Sequence, residues 1–271
     1  MRCWGARKES LVPPDLGPAV ALAAGIYHTC ALTAAGAVRC WPPDTDAATP
    51  PPGMSRVAAL VAGDFFTCAL TAAGAVRCWG RDRDGQCSPP ADLGPAVGLA
   101  TGRYHACALL ATRRVRCWGN ETYSARARDV PSDLGPAAAL AAGSEETCAL
   151  LAAPAGAVRC WGRTAGVWEG PFAAVAATGV DELYTLDTSG GLAHWGPAIA
   201  GVPSAVPPGL APAAAIACVD RLVCASMQRS GKVRCWYISD YDRSRRLPVQ
   251  RTADGGHPHA CAHTPASGGG G

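Results

Sequence analysis

Cysteine is the residue type whose number and spacing give this chain its clearest chemical possibilities. There are 14 cysteines in 271 residues, and ten of them form pairs 10 to 12 residues apart: Cys30 with Cys40, Cys68 with Cys78, Cys107 with Cys117, Cys148 with Cys160, and Cys224 with Cys235. Small residues such as Ala34-Ala35-Gly36 separate the members of a pair and predict a β-hairpin. Opposed Cβ atoms in a hairpin lie ~4.5–5.5 Å apart, so a modest adjustment permits a disulfide.

One repeat supports this pairing because it lacks both cysteines together. The corresponding positions hold Tyr184 and His194. By the same logic, Cys3 is expected to face Cys261, whereas Cys87 and Cys218 have no partner in the pattern. Closing a loop of about ten residues stabilises a protein by roughly 2.5–3 kcal/mol in the chain-entropy model. Two alternatives remain open: reduced cysteines that pack as small hydrophobes, and metal ligation, for which this spacing is poor.

Other chemical signals are weaker. Near the C terminus, alternate residues on a strand could share one face and bind Zn²⁺ or Cu²⁺: His257, His259, Cys261 and His263. Two of these four already occupy repeat positions, which favours a structural role. The motifs of serine hydrolases, P-loop proteins, zinc proteases and dinucleotide-binding folds are missing. We therefore expect no enzymatic activity, no metal and no cofactor.

Two markers that recur along the chain indicate which elements carry the cysteines. The dipeptide Cys-Trp, or His-Trp in one case, begins at residues 3, 40, 78, 117, 160, 194 and 235. The second marker, Gly-x-x-x-x-Cys or a degenerate form, ends at residues 30, 68, 107, 148, 184, 224 and 261. A period of about 40 residues with several short strands in each repeat is typical of a β-propeller.

The two markers are offset at the ends of the chain. Cys3-Trp4 stands at the start without a preceding glycine marker, and the glycine marker that ends at Cys261 has no Cys-Trp after it. These halves make a whole repeat only if the termini meet, which would also remove exposed sheet edges. The sequence predicts an all-β fold, a seven-bladed β-propeller in residues 1–264 whose seventh blade is closed by the N- and C-terminal segments. A disordered, Gly-rich tail is expected at 265–271.

Charge and hydropathy argue against several kinds of partner. The formal net charge is +3 and 17% of residues are charged, which is too weak a field to indicate nucleic acid or an anionic membrane. The longest apolar runs, such as 172–180, are well short of the roughly 18–20 residues of a membrane span. The first ten residues contain no signal-peptide core, yet the cysteine pairs favour an extracellular or cell-surface location. A cytoplasmic location is the alternative.

Two segments carry a family resemblance. GIYHTCALTAAGAVRCW (25–41) and GDFFTCALTAAGAVRCWGRDRDGQC (63–87) resemble the regulator of chromosome condensation repeat. The resemblance extends over about 3–264 and implies a seven-bladed propeller. The cysteine-bearing form is similar to ectodomains of crinkly-type plant receptor kinases, and another family member is an exchange factor for a small GTPase. The family's Asn-x-x-Gly-Gln-Leu ending is present only as the variant Asp82–Cys87.

Equivalent positions of the repeats are expected to lie on one face of a ring. One pair of neighbouring positions is aromatic or histidine in three consecutive repeats and acidic in the next two: Tyr27, His28, Phe65, Phe66, Tyr104, His105, Glu145, Glu146, Asp181 and Glu182. We predict an aromatic sector beside an acidic sector, suited to a protein partner with apolar and basic groups. Alternatively, the rings brace neighbouring blades and the acids are merely solvated.

The sequence therefore predicts a non-catalytic protein–protein interaction module. We expect a monomer with a protein partner, without a nucleic-acid partner and without a membrane span in this chain. Two alternatives stay open: a guanine-nucleotide exchange factor for a small GTPase, and the ectodomain fragment of a receptor kinase.

Overall fold

Six antiparallel sheets follow one another along the chain in a computed structural model. The structure describes residues 2–4, 12–43, 45–54, 56–119, 125–152, 156–163, 165–179, 182–196, 206–207, 210, 212–219, 222–228, 230, 232–237 and 260–262. The first three sheets hold β2–β4 (Ala19–Ala24, Thr29–Thr33, Val38–Trp41), β5–β7 (Val57–Ala62, Phe66–Thr71, Val76–Gly80) and β8–β10 (Ala96–Thr101, His105–Leu110, Val115–Gly119). The next three hold β11–β14 (Ala137–Ala142, Glu146–Leu151, Val158–Gly162, Gly166–Trp168), β15–β17 (Phe172–Ala177, Leu183–Asp187, Leu192–Trp195) and β18–β20 (Ala213–Val219, Leu222–Met227, Val233–Tyr237).

The two ends of the chain meet in a two-stranded ladder. β1 (Arg2–Trp4) pairs antiparallel with β21 (Ala260–Ala262), and Cys3 stands opposite Cys261 in the register. β21 also packs against β2 of the first sheet. The described residues thus form six sheets of three or four strands and one terminal ladder, where the sequence predicted seven blades.

Tight turns join the second and third strands of the first, second, third and fifth sheets. In the first sheet the amide of Gly36 donates to the carbonyl of Thr33 at 2.8 Å, and Gly36 has φ of 81°. Glycine adopts this left-handed conformation at little steric cost. The third sheet makes the same turn with Arg113 at φ of 63°, so the hairpin geometry is retained where the sequence does not supply glycine.

The apolar core lies in layers between consecutive sheets. Between the first and second sheets, Leu32 packs with Leu60 and Trp79; between the third and fourth, Leu109 packs with Leu134 and Trp161. The ends of the first strands of all six sheets converge on a small cavity of about 60 Å³. This radial arrangement of twisted antiparallel sheets is that of a β-propeller, as expected for the all-β class.

Among the described residues, two short helical turns lie in the loops that connect sheets. They are a 3-10 turn at Asp46–Ala48 and α1 at Ala125–Arg128. Within the described residues, no helix is both long and apolar enough to cross a bilayer.

Candidate protein-interaction face

Five disulfides fix the hairpins, as the cysteine spacing predicted. They join Cys30 to Cys40, Cys68 to Cys78, Cys107 to Cys117, Cys148 to Cys160 and Cys224 to Cys235. In every case the two cysteines are directly opposed in the β-ladder. The side chains of Cys3 and Cys261 lie outside the described residues, so their disulfide stays a prediction, and so does the metal-binding alternative at His257, His259 and His263.

Of the cysteines whose side chains the structure describes, Cys87 and Cys218 are unpaired, and both thiols are held in their protonated form. Burial, helped by the charge of Asp82, raises the pKa of Cys87 to about 12, and the Cys87 thiol donates to the carbonyl of Arg81 at 3.3 Å. Burial likewise raises the pKa of Cys218 well above its ordinary value, with Glu182 adding to the shift. Neither thiol has the lowered pKa of a reactive cysteine.

Four of the predicted partner-binding residues are buried between sheets and cannot reach a partner. They are His28, Phe66, His105 and Glu146, each at most 2% exposed. They occupy one repeat position, at the end of the turn between the first and second strands. This corrects the sequence prediction for these four, because the second residue of each pair turns into the space between two sheets.

The buried histidines brace one sheet against the next. His28 Nε2 lies 2.7 Å from Thr67 Oγ1, and His105 Nε2 lies 2.8 Å from Thr147 Oγ1. Phe66 fills the same place where the next sheet offers Ala106 instead of threonine. Burial lowers the pKa of His105 to about 4, so this imidazole is neutral at physiological pH.

The glycine that begins each of these turns allows neighbouring sheets to approach closely. A methyl group at Gly63 would meet the carbonyl of Gly102 and the ring of Phe66, and one at Gly102 would meet the carbonyl of Gly143 and the ring of His105. The Gly-x-x-His spacing in the sequence therefore reflects a backbone contact between sheets.

The fifth sheet replaces the disulfide by a cluster of polar and aromatic groups. Tyr184 and His194 are opposed in the ladder, and their rings lie 4.9 Å apart. His194 Nε2 lies 3.3 Å from a carboxylate oxygen of Glu182, whose side chain is only 14% exposed. Glu182 therefore belongs mainly to the interior. Asp181, the other acidic residue predicted here, lies outside the described residues.

The first residue of the other four predicted pairs remains accessible on one face. Tyr27, Phe65, Tyr104 and Glu145 are half-buried and lie in the turns after β2, β5, β8 and β11. The rings of Tyr27 and Phe65 stack with centroids 4.7 Å apart and planes at 19°. We call these four side chains, with the turns that carry them, the interaction face.

Arginines that the sequence analysis did not single out complete this face. The guanidinium carbon of Arg81 lies 5.3 Å from the centroid of Phe65, and that of Arg103 lies 5.1 Å from the centroid of Tyr104. Arg103 also pairs with Asp64 at 3.2 Å. Their positions in the repeat could have identified these arginines from the sequence, since Arg81 follows Cys-Trp-Gly and Arg103 directly precedes Tyr104.

A groove of about 240 Å³ opens between the first two sheets on this face. Its walls include Tyr27, Phe65, Asp46, Arg81 and Arg83. The wall that carries Asp46 is fixed by the sheet beneath it, because the indole Nε1 of Trp79 donates to the carbonyl of Ala47 at 2.9 Å. The tryptophans of the Cys-Trp marker thus position loops as well as fill the core.

Comparison with known proteins relates this geometry to a repeat family. Residues 19–41, 57–86 and 96–124 match the Regulator of chromosome condensation (RCC1) repeat. A comparison with curated proteins finds no match. The entire ectodomain of the Physcomitrella patens receptor kinase CR4 is similar at 26% identity, with a TM-score of 0.71 over 87% of this chain; the chain spans 66% of that ectodomain.

Two further solved structures share the fold. The CRINKLY WD40 ectodomain of the Arabidopsis thaliana receptor kinase ACR4 has 20% identity and a TM-score of 0.66, over 81% of this chain and 79% of that one. Yeast RCC1 (Prp20), in its complex with Kap60, has 18% identity and a TM-score of 0.67, over 87% of this chain and 78% of that one. These likenesses show the fold of a β-propeller, and three segments of the chain match the RCC1 repeat.

Proposed function

We propose that this chain is a non-catalytic protein-interaction module built on a closed, seven-bladed propeller. The observation that carries the proposal is the interaction face, where Tyr27, Phe65 and Tyr104 are half-exposed on consecutive sheets. Aromatic and arginine side chains are enriched among the residues that dominate binding energy in protein interfaces. The disulfide in each of these hairpins holds the rings on a rigid frame, which lowers the entropy lost on binding.

Closure of the ring rests on the terminal ladder. β1 pairs with β21, and β21 packs against the first sheet, so a seventh blade shared by both ends of the chain would complete the circle. Mapping of the disulfides by mass spectrometry without reduction tests this part. We expect a peptide that contains Cys3 linked to one that contains Cys261; the two cysteines found as free thiols in the natively purified protein would contradict closure by a disulfide.

The five disulfides also support an oxidising compartment, since such bonds are rare in the cytosol. Together with the likeness to the Physcomitrella patens CR4 ectodomain, they favour a second, more specific candidate function: the ligand-binding part of a cell-surface receptor. Labelling of free thiols in the protein within its native cells distinguishes the two compartments. Protected hairpin cysteines support the surface location, and labelled ones support the cytoplasm.

A surface variant tests the interaction function directly. The double variant Phe65→Ala with Tyr104→Ala removes two rings of the interaction face without touching the core clusters. The matched control is Val97→Ala, which removes an apolar side chain that is 60% exposed near the start of β8, the end of the strand away from Tyr104. We expect cross-linking to a protein partner to be lost in the double variant and kept in the control; equal capture by both would contradict the proposed face.

The exchange-factor alternative has its own test. Prp20p from Saccharomyces cerevisiae has 19% identity to this chain and a TM-score of 0.64, and its solved structure is described with its binding properties to Gsp1p and histones. At that identity the likeness supports the fold alone. Faster release of a labelled guanine nucleotide from a small GTPase in the presence of this chain would favour this alternative over the interaction module.

A further inference from the structure

We propose that the groove between the first two sheets binds an acidic side chain of a partner protein, together with an apolar side chain next to it. This inference rests on the proposed function, because it specifies what the interaction face recognises. It also revises the charge expected of the partner, since the sequence analysis predicted basic groups.

The apolar half of the site is the aromatic wall. The rings of Tyr27 and Phe65 stack nearly face to face beside the groove, with their centroids 4.7 Å apart and their planes at 19°, and both residues are half-buried. They offer a flat apolar surface with little rotamer freedom to lose on binding. A leucine, methionine or aromatic side chain from a partner would pack on this surface.

The charged half of the site is Arg81. Its guanidinium lies over Phe65, and its Nε atom is buried without an acceptor. Among the described residues, neither Arg81 nor Arg83 forms an ion pair with a carboxylate. The positive charge is shared by the whole guanidinium, and a carboxylate from a partner would accept charge-assisted hydrogen bonds from its terminal nitrogens.

The fourth sheet shows what an arginine at this repeat position does when a carboxylate is present. Arg163 is the counterpart of Arg81, and Glu145 is the counterpart of Phe65. The backbone contact is the same in both sheets, with the amide of Arg81 donating to Phe65 and that of Arg163 to Glu145 at 3.0 Å. Arg163 then pairs with the Glu145 carboxylate at 3.5 Å. In the second sheet phenylalanine replaces the acid, which leaves the arginine available for a carboxylate from a partner.

Size and charge identify the class of ligand. A groove of about 240 Å³ is below the roughly 300–1,000 Å³ of small-molecule sites, and it suits one or two side chains of a peptide. Arg81 and Arg83 disfavour a cationic partner. Asp46 is exposed at the 3-10 turn and reduces the positive charge, so its removal is expected to strengthen the binding of an acid.

Three matched, blocked peptides test the proposal on the full chain. One alternates glutamate with leucine, one replaces each glutamate by glutamine, and one replaces each by lysine. The side-chain Nε–H resonance of Arg81 and fluorescence anisotropy report binding. We expect only the acidic peptide to shift Arg81, R81A to weaken its binding roughly 10-fold or more, and D46N to tighten it about twofold. The control R77A changes an exposed arginine of the same sheet outside the groove and is expected to have no effect.

Several results would overturn the proposal: equal binding of the acidic and glutamine peptides, equal effects of R81A and R77A, or no binding by any peptide. Binding of a single-stranded oligonucleotide at Arg81 in preference to the acidic peptide would assign the groove to nucleic acid instead. These outcomes are separate from the cross-linking test of the interaction face. That test can succeed while the acidic specificity fails. Equal capture by the double variant and its control would contradict the interaction face and would still leave the peptide measurement on the groove interpretable.

Discussion

At the residue scale, one buried repeat position shows how side chains are matched between sheets. Histidine occurs where the next sheet presents a threonine hydroxyl, as in His28 with Thr67. Phenylalanine occurs where the next sheet presents Ala106. A ring nitrogen buried without a partner costs free energy, whereas a phenyl ring fills the same volume without that requirement. The residue at this position and the residue that it faces on the next sheet therefore differ together from one pair of sheets to the next.

The buried histidine predicts a pH dependence of stability. The pKa of His105 is about 4 in the folded protein, below the value of about 6.5 for an unfolded chain, so the unfolded state binds the proton more readily. Stability is therefore fully present above about pH 6.5 and is lost as the pH falls towards about 4, by about 2 kcal/mol between pH 7 and pH 5 for this one group. Urea unfolding at the two pH values measures the loss.

The control for this prediction comes from the neighbouring sheet. The double variant His105→Phe with Thr147→Ala installs the Phe66–Ala106 combination between the third and fourth sheets. It is expected to remove the His105 contribution to the pH dependence and to keep the fold. An unchanged difference between the two pH values would mean that other groups cause it.

Two glycines of the third sheet give a second prediction at this scale. A methyl at Gly102 would collide with the Gly143 carbonyl, whereas one at Gly98 would meet only Leu109 at 3.5 Å. All five other sheets carry alanine at the Gly98 position, as at Ala21 and Ala59. We expect Gly102→Ala to lower the free energy of unfolding by about 2–4 kcal/mol and Gly98→Ala to leave it unchanged or raise it by up to about 1 kcal/mol. Equal effects in denaturant unfolding would refute the close approach of sheets.

At the scale of the element, each hairpin carries its own covalent or polar link between its second and third strands. Five hairpins use a disulfide, and the fifth sheet uses the ring contact of Tyr184 with His194. Such links suit sheets whose cores are rich in alanine, because small side chains bury little apolar area. Each of these hairpins is thus linked across its two strands, either by a disulfide or by a contact between side-chain rings.

Removal of one link tests its contribution. The double variant Cys68→Ala with Cys78→Ala deletes a disulfide that closes a loop of sequence separation 10. We expect the free energy of unfolding to fall by about 2–3 kcal/mol, measured by denaturant titration under oxidising conditions. In a reducing buffer, the variant and the parent protein should differ much less, since the parent then loses the same link. A variant as stable as the oxidised parent would show that the disulfide contributes nothing.

At the scale of the whole molecule, stability depends on contacts between successive sheets. Each apolar layer is shared by two neighbours, as where Leu186 packs with Ala213 and Met227. A repeat of this kind cannot bury its apolar face alone, so an open row of sheets would leave two faces uncovered. Pairing of the terminal strands provides a cover for the first sheet.

Two truncations test that closure. A chain without residues 260–271 loses β21, its pairing with β1 and its packing on β2, and loses the predicted Cys3–Cys261 link that closes most of the chain, worth roughly 5 kcal/mol. We expect its thermal midpoint to fall by roughly 10 °C or more. A chain without residues 265–271 keeps the strand and should match the parent. Equal midpoints for the two truncated chains would exclude closure by the terminal ladder.

The sequence by itself determined the features that depend on local spacing. The hairpins and the cysteine pairing follow from which residues oppose each other across a short turn, and the repeat markers can be counted directly in the sequence. Successive side chains of a strand point to opposite faces of the sheet. That alternation separates Tyr27 from His28 but does not say which of them meets the next sheet.

Only the tertiary structure decided the composition of the interaction face. It buried His28, Phe66, His105 and Glu146 and left their neighbours accessible, because the stacking of sheets selects one side of each turn. It also brought Arg81 onto Phe65 and joined Arg103 to Asp64. The latter pair lies 39 residues apart in the sequence and meets because adjacent sheets are rotated about a common axis.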